Sequence, residues 1–426
     1  MVNKTHKKKT YYGGKKLGQG SYGCVVTPPL KCKSSQLLRR NTFDTNNNFI
    51  SKIIKTKFSI EAFTELNIGI KIYNLDMDSK YFVPFINACY FKPQSHPDII
   101  YLSANGKVVS SDPSSIDVDS DIYSIEKSDI SANIIKEHKS KCVLKKNIDY
   151  LNLIGPIGGD TLNNILLHRK NMFIKHNYWF IAKYLIHGMY ILHTNKIVHK
   201  DIKLSNLIID FYYDEESKTH LKDSKVRYID FGLSVSLNKK KYEENEINAL
   251  LLNGTINYTP LEILAMKILY KLKKRGHNPH NKLFIFDMLK HMINNYEKNR
   301  DHFNYSGIKH NYLIPENKLH NRDHNKNNNL DYLTPFRYEK VFKYILDLYK
   351  NGNIDSKINN LFYGWDIYSL GIVFAKIAIK SNVKDQDFEE LIFKMIDINP
   401  EHRININDLY KKIKTFNDKC KINIDY

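Results

Sequence analysis

Cysteine is scarce in this chain. Five occur in 426 residues, Cys24, Cys32, Cys89, Cys142 and Cys420, scattered, odd in number and without a Cys-x-x-Cys pair. That usage argues for a reducing compartment, the cytoplasm, over an oxidising one. Long hydrophobic runs are missing too. A bilayer needs roughly 20 apolar residues, and the best run, Leu370 to Ile379, carries Lys376 in its middle. The first residues bear charge but no apolar signal region, so neither secretion nor a membrane anchor is expected. Acidic residues are the scarcer charge: 45 Asp and Glu stand against 65 Lys and Arg, a net charge of +20. A field of that sign favours acidic partners or anionic surfaces and says nothing about fold. No basic stretch is studded with aromatics and no nucleic-acid module is recognisable, so a nucleic-acid-binding role rests on charge alone. Asn, Ile, Lys and Tyr abound, as AT-rich coding produces.

What the chain does have is a cluster of phosphate chemistry. Ile197 to Asn206 reads IVHKDIKLSN, and Tyr228 to Gly232 reads YIDFG. These stretches offer a carboxylate to orient a hydroxyl and take its proton late (Asp201) and an ammonium for a phosphate (Lys203). They also offer two hard oxygen ligands for magnesium, Asn206 and Asp230. A loose phosphoryl-transfer transition state asks little more of a protein than such positioning and charge stabilisation. Upstream, Leu17 to Val26 reads LGQGSYGCVV. The glycines Gly18, Gly20 and Gly23, with Ser21 between them, let backbone N–H groups approach phosphate oxygens, and Leu17 and Val25 flank them, Val25 as a cover for an adenine ring. The β-branched run after Gly23, broken by Pro28 and Pro29, predicts a second strand there; a dinucleotide-binding fold wants a helix.

In this order the motifs resemble those of eukaryotic-type protein kinases: the glycine loop, the catalytic loop with Lys200 where most members have Arg, and the Asp-Phe-Gly triplet. The resemblance covers about residues 12–92, 142–264 and 358–414. It implies an α+β, bilobal protein kinase-like fold, with a small β-sheet N-lobe carrying one main helix, a mainly helical C-lobe and two large insertions. The expected organisation is a basic tail at 1–11, an N-lobe at 12–157 interrupted at about 92–141, and a C-lobe at 158–426 interrupted at about 265–357. ATP and Mg²⁺ are the implied cofactors. Protein serines and threonines are the implied acceptors, and the basic surface favours acidic substrates among them. A catalytically silent scaffold is the alternative, motivated by Lys200, Gly69 and Pro260-Leu261.

The resemblance assigns further residues. In Phe49 to Lys55 (FISKIIK) the lysine that pairs with the phosphates is Lys52, with Lys55 as the other candidate. Apolar spacing predicts a helix over Ser59–Tyr73, on which Glu65, or Glu61 one turn earlier, would hold that lysine. Gly69 stands where an apolar residue is usual, which suggests loose packing. Tyr81 to Phe91 resembles the next strand, and Tyr150 to Ile157 the strand that leads into the hinge. The Ser- and Asp-rich stretch from Val109 to Asp129 reads as a solvated loop with little fixed structure. Asn177 to Thr194 predicts a helix supporting the catalytic loop, and His199 reads as a packed structural histidine.

Gly254 to Glu262 resembles the segment that closes the activation loop, with Pro260-Leu261-Glu262 in place of Ala-Pro-Glu and Arg403 as the partner of Glu262. Lys203 and Thr255 are the Ser/Thr-type choices. Lys200 is a poorer phosphate clamp than arginine, and Ser234, Ser236 and Tyr242 are not a central threonine, so activity independent of loop phosphorylation is expected. Asp366 in the WDIYSLG stretch matches the residue that ties down the catalytic loop, but it lies far beyond Glu262, where family members need only about a dozen residues. The intervening segment suggests helices at Ile263–Lys274, Lys282–Lys298 and Tyr338–Lys350. Its many histidines have no cysteine companions and irregular spacing, so a metal site is not expected there. Insertions and composition together resemble kinases of large DNA viruses, for which host cytoplasm or the virion would be the place of action.

Overall fold

The structure is a computed structural model and describes residues 15–19, 23–27, 29–30, 49–56, 59–91, 99–102, 108–109, 142–145, 150–167, 171–210, 224–239, 242–251, 254–255, 258–274, 343–348, 354–397 and 399–421. The chain divides into two compact units, Met1–Met77 with Val83–Gly158, and Asp78–Phe82 with Gly159–Tyr426.

In the smaller unit β1 (Lys15–Gln19), β2 (Gly23–Thr27), β3 (Phe49–Lys55), β4 (Asn87–Phe91) and β8 (Tyr150–Pro156) form one sheet in the order β1-β2-β3-β8-β4. All its pairings are antiparallel. Side chains alternate between the two faces of such a sheet, and here both faces are covered. On one, Ile54, Leu151 and Leu153 pack with Ala62 and Leu66 of α1 (Ser59–Leu75). On the other, Cys24, Val26, Ile53 and Tyr150 pack with Ile99, Cys142 and Leu144. These last come from a second sheet, ordered β6-β5-β7, made of β5 (Ile99–Leu102), β6 (Val108–Val109) and β7 (Cys142–Lys145).

Two expectations change here. Strands β5 and β6 lie inside the stretch 92–141 that the sequence suggested was a surface insertion; Ile99 is 1 % exposed, and short apolar runs of this kind fold when another sheet supplies the facing surface. The Ser- and Asp-rich segment beyond Val109 lies outside the described residues. Second, the scattered cysteines are not all thiols. Cys24 and Cys142 are disulfide-bonded across 118 residues, and Cys89 is disulfide-bonded as well. A reducing home does not follow from their spacing. The strand expected from Tyr81 begins at Asn87 instead: Pro84 cannot donate to a ladder, and Phe82 bridges to Tyr228 in the larger unit.

The larger unit is mainly helical. After β9 (Asp160–Thr161) come α2 (Leu162–Leu167) and α3 (Asn171–Thr194), the latter broken at Asn177, whose φ of −124° is not helical. Then follow β10 (Ile197–Val198), β11 (Leu207–Asp210), β12 (Lys225–Tyr228) and β13 (Val235–Ser236), with β11 between β12 and β9, and β10 paired to β13. Helices α4 (Glu244–Leu251), α5 (Leu261–Lys274), α6 (Ile354–Lys380), α7 (Gln386–Met395) and α8 (Ile406–Thr415) follow.

Helix α5 and a short helix at 343–348 supply Ala265, Met266, Leu269, Tyr270, Ile345 and Leu346 to the same core as Phe362 and Trp365 of α6. Both ends of the expected insertion at 265–357 therefore pack into the core of this unit. The helix expected at Lys282–Lys298 lies outside the described residues. Among the described residues one segment, Lys357–Lys380 of α6, is long and apolar enough to cross a membrane by length and composition alone; 78 % of its apolar window is buried inside the protein, as in a core helix.

Candidate functional site

In the smaller unit the register sets Val25 opposite Lys52, and Lys52 opposite Leu153, on the face that α1 covers. From α1, Glu65, 1 % exposed, meets Lys52 with both carboxylate oxygens, 3.0 and 2.7 Å from Nζ. The ammonium also lies 5.6 Å from the centre of the Phe85 ring. Lys55, three residues on, belongs to the opposite face by alternation, so the two lysines left open by the sequence are separated by strand parity. Of the glycine loop, Leu17 and Gly18 lie in β1 and Gly23 opens β2. The pairing of β1 with β2 is irregular between Lys16 and Gly18. Gly20 and Ser21 lie outside the described residues.

The larger unit gathers the catalytic-loop residues. Asp201, 6 % exposed, receives Lys203 Nζ at 2.6 Å and Asn206 Nδ2 at 2.9 Å on Oδ2, and the Thr255 hydroxyl at 2.6 Å on Oδ1. Lys203 Nζ also donates to Thr255 Oγ1 at 3.2 Å. The Asn206 amide donates a second time, to the Asp201 carbonyl at 2.9 Å, and the Ile229 N–H donates to the Asn206 carbonyl at 3.0 Å. This last bond continues the β11–β12 ladder and sets Asn206 beside the stretch that ends at Asp230. Asp230 adopts the left-handed conformation, φ 66° and ψ 69°, a backbone state tolerated by aspartate more readily than by most residues.

The loop is tied down from behind. Asp366 of α6, fully buried, accepts the backbone N–H of His199 at 2.7 Å and of Lys200 at 2.8 Å, and lies 3.2 Å from His193 Nε2. His199 is fully buried; its Nε2 donates to the Ile229 carbonyl at 3.1 Å, and its Nδ1 accepts the Asp201 N–H at 3.3 Å. It is a structural strut, as its place in the motif suggests. Phe231 packs edge-on against Phe82, ring centres 6.1 Å apart. Gly254 has φ +102°, and a Cβ there would come within 2.6 Å of the Trp365 ring, so Thr255 is delivered to Asp201 by a turn that only glycine makes without strain.

Lys200 differs from a fixed cation. It is 3 % exposed with φ +65°, and its Nζ lies 5.6 Å from the centre of the Trp365 ring. Burial, reinforced by Lys267, pushes its ammonium down to about 7. Glu262 and Arg403 form the expected buried pair: Arg403 Nη1 meets Oε1 and Nη2 meets Oε2, while the guanidinium also donates to the carbonyls of Gly364 and Asp397. Two contacts escaped the sequence, His193 on Asp366 and Thr255 on Asp201. Both join residues more than fifty positions apart, and only the family-like order of the motifs could have hinted at the second.

An amide oxygen just before β11 and a carboxylate just after β12 are the kind of ligands that suit a hard divalent cation that keeps several waters. With the Asn206 amide nitrogen committed to Asp201, its Oδ1 is the atom left for coordination. Among the described residues no group of three or more His, Cys, Asp or Glu side chains is placed to hold a metal ion.

Comparison with known proteins gives the same direction. The family model described as Protein kinase domain matches residues 108–282. The chain is similar to CTD kinase subunit alpha of Saccharomyces cerevisiae, 31 % identical over 103 residues, which is 23 % of this chain and 17 % of that one. It is also similar to Probable serine/threonine-protein kinase mkcC of Dictyostelium discoideum, 27 % identical over 108 residues, 24 % of this chain and 11 % of that one. The matched stretch thus spans less than a fifth of either relative.

Proposed function

The chain belongs to the eukaryotic-type protein kinase superfamily, and from that premise we propose that it is an active Ser/Thr protein kinase that moves the γ-phosphoryl group of ATP to protein hydroxyls. The observation that carries the reading is the Asp201 carboxylate held by Lys203, Asn206 and Thr255 at once. A carboxylate so fixed is ready to orient an acceptor hydroxyl and to take its proton as the new P–O bond forms. Lys203, a quarter exposed, can turn from Asp201 toward the transferring phosphoryl oxygens as a point charge. Lys52, aimed by Glu65, is the candidate for the α and β phosphates. Asn206 and Asp230 would hold magnesium, which supplies charge neutralisation at the phosphate oxygens. The name of one relative, Probable serine/threonine-protein kinase mkcC, and the bond that Lys203 donates to Thr255 support serine and threonine as acceptors. The net charge of +20 favours substrates with acidic flanks.

Lys200 adds a statement about regulation. A lysine only 3 % exposed, whose charged form burial disfavours, is a poor receiver for a loop phosphate, and this supports activity that does not depend on one. The test is transfer of labelled phosphate from ATP to an acidic Ser/Thr protein, using chain made in bacteria and treated with phosphatase. Asp201→Asn is expected to lose at least about 100-fold in rate with its fold intact by circular dichroism. Equal rates for the two proteins would overturn the kinase assignment, and loss of natural activity on phosphatase treatment would overturn independence from loop phosphorylation.

A further inference from the structure

The strands that carry Val25 and Lys52 are held from behind by a covalent bond. Cys24 and Val26 of β2, with Ser51 and Ile53 of β3, lie on the face away from α1. Cys24 is 5 % exposed and Cys142 fully buried. Their disulfide, with Cα atoms 6.0 Å apart, joins the residue after Gly23 to the first residue of β7. Ser51 Oγ accepts the Leu30 N–H at 2.8 Å on this face, and Asn152, also fully buried, donates to the Leu30 carbonyl at 3.2 Å. Cys89, on the edge strand β4 of the same sheet, is disulfide-bonded too. Cys420, in the larger unit, is a free thiol. The cross-linked cysteines among the described residues all fall in the smaller unit, and the sheet β6-β5-β7 that brings Cys142 into place contributes Ile99 and Leu144 to the same buried layer.

We propose that the Cys24–Cys142 bond is a redox lock on the nucleotide-binding strands, resting on the kinase reading above. With the bond formed, β2 is held between its neighbour β3 and the accessory sheet, and Val25 and Lys52 keep their places. With the bond reduced, β7 can lift from β2 and ATP binding weakens. Locking converts the two thiols into one S–S bond; two protons and two electrons pass to the disulfide of a thiol–disulfide exchange partner, which leaves as a dithiol. Because both sulfurs are buried, exchange waits on opening of the β2–β7 contact, so mild reductants act slowly on the folded protein. The chain accordingly matures where such an oxidising partner acts, and its small unit is the part that senses it.

The experiment uses the full chain, purified without reductant and alkylated before digestion, so that a peptide joining Cys24 to Cys142 is read by mass spectrometry. Amide exchange in β2 and β3 and ATP affinity are then compared before and after full reduction by a phosphine, and after reoxidation with glutathione disulfide. Reduction is expected to speed β2 and β3 exchange about tenfold and to weaken ATP binding at least about fivefold; reoxidation restores both. Cys142→Ala should show the reduced behaviour whatever the redox state. Free thiols at both positions after treatment with glutathione disulfide, or exchange unchanged by reduction, overturn the lock. Absence of ATP binding in the oxidised protein overturns the kinase reading, while the exchange data still decide whether the bond clamps β2.

Discussion

At the scale of single residues, the clearest discrimination is between two lysines on one strand. Lys52 and Lys55 differ by an odd number of positions and therefore face opposite ways; Lys52 alone shares the face of Glu65, which it meets at 2.7 Å. Partly buried charges so paired hold their geometry, because leaving either one alone costs the desolvation that the partner offsets. Replacing Lys52 by Met is expected to lower kcat/KM for ATP at least about 100-fold, and Lys55→Met to change it by less than about threefold. Steady-state kinetics on the two variants check this, and equal losses would mean that the ion pair has no part in nucleotide handling. Why the loop chemistry around Asp201 was readable and the contact of Thr255 with Asp201 was not follows from distance along the chain. Asp201, Lys203 and Asn206 sit within six positions, so their chemistry is visible as spacing. The hydroxyl that completes the Asp201 shell arrives from 54 residues away, and the two sulfurs of the disulfide from 118; no local pattern encodes either meeting.

At the scale of elements, α1 shows how a departure from an expected pattern can have a packing cause. Gly69 suggested loose packing, yet it is buried, and a Cβ there would stand 2.1 Å from the Phe85 carbonyl oxygen and 3.4 Å from the Pro84 Cβ. The glycine lets the helix press on the backbone that precedes β4, and that backbone cannot retreat, because the Ile86 N–H donates to the Ile154 carbonyl of β8 at 3.1 Å. Gly69→Ala is therefore expected to destabilise the smaller unit by about 1–3 kcal/mol as overpacking, although alanine is the better helix former by about 1 kcal/mol. Thermal unfolding measures the balance, and a rise in melting temperature would show that α1 is free to shift. Other elements were legible because their apolar periods are long: the stretch read as a helix from Asn177 forms α3, and extends back to Asn171 across the break. The strands β5 and β6 were hidden, since four and two residues are too few to show a period and only the facing core gives them a reason to exist.

For the molecule as a whole, the question is which parts of so long a chain the fold needs. Spacing between Glu262 and Asp366 marked 265–357 as added material, but burial divides that stretch. Met266 and Leu269 of α5, and Ile345 of the helix at 343–348, are all fully buried, and they share a cluster with Trp365, whose ring lies under Lys200. Glu262, on the first turn of α5, is bound on both oxygens by Arg403. A deletion that takes α5 away therefore strips the core beneath the catalytic loop and leaves the Arg403 guanidinium buried without its carboxylate; losing one member of such a pair typically costs about 3–5 kcal/mol on its own. Excision of 265–357 is expected to yield unfolded protein. Excision of 276–340 alone, bridged by a flexible Gly/Ser linker, removes none of these side chains, and lengthening or shortening a connection changes closure entropy only slowly. The shortened chain should unfold cooperatively within a few degrees of the parent and retain turnover of ATP, with any loss confined to phosphorylation of large protein substrates. Calorimetry and a peptide-phosphorylation assay on the two deletions provide the check. Should the shorter excision unfold the protein as the longer one does, the region 276–340 would belong to the fold itself.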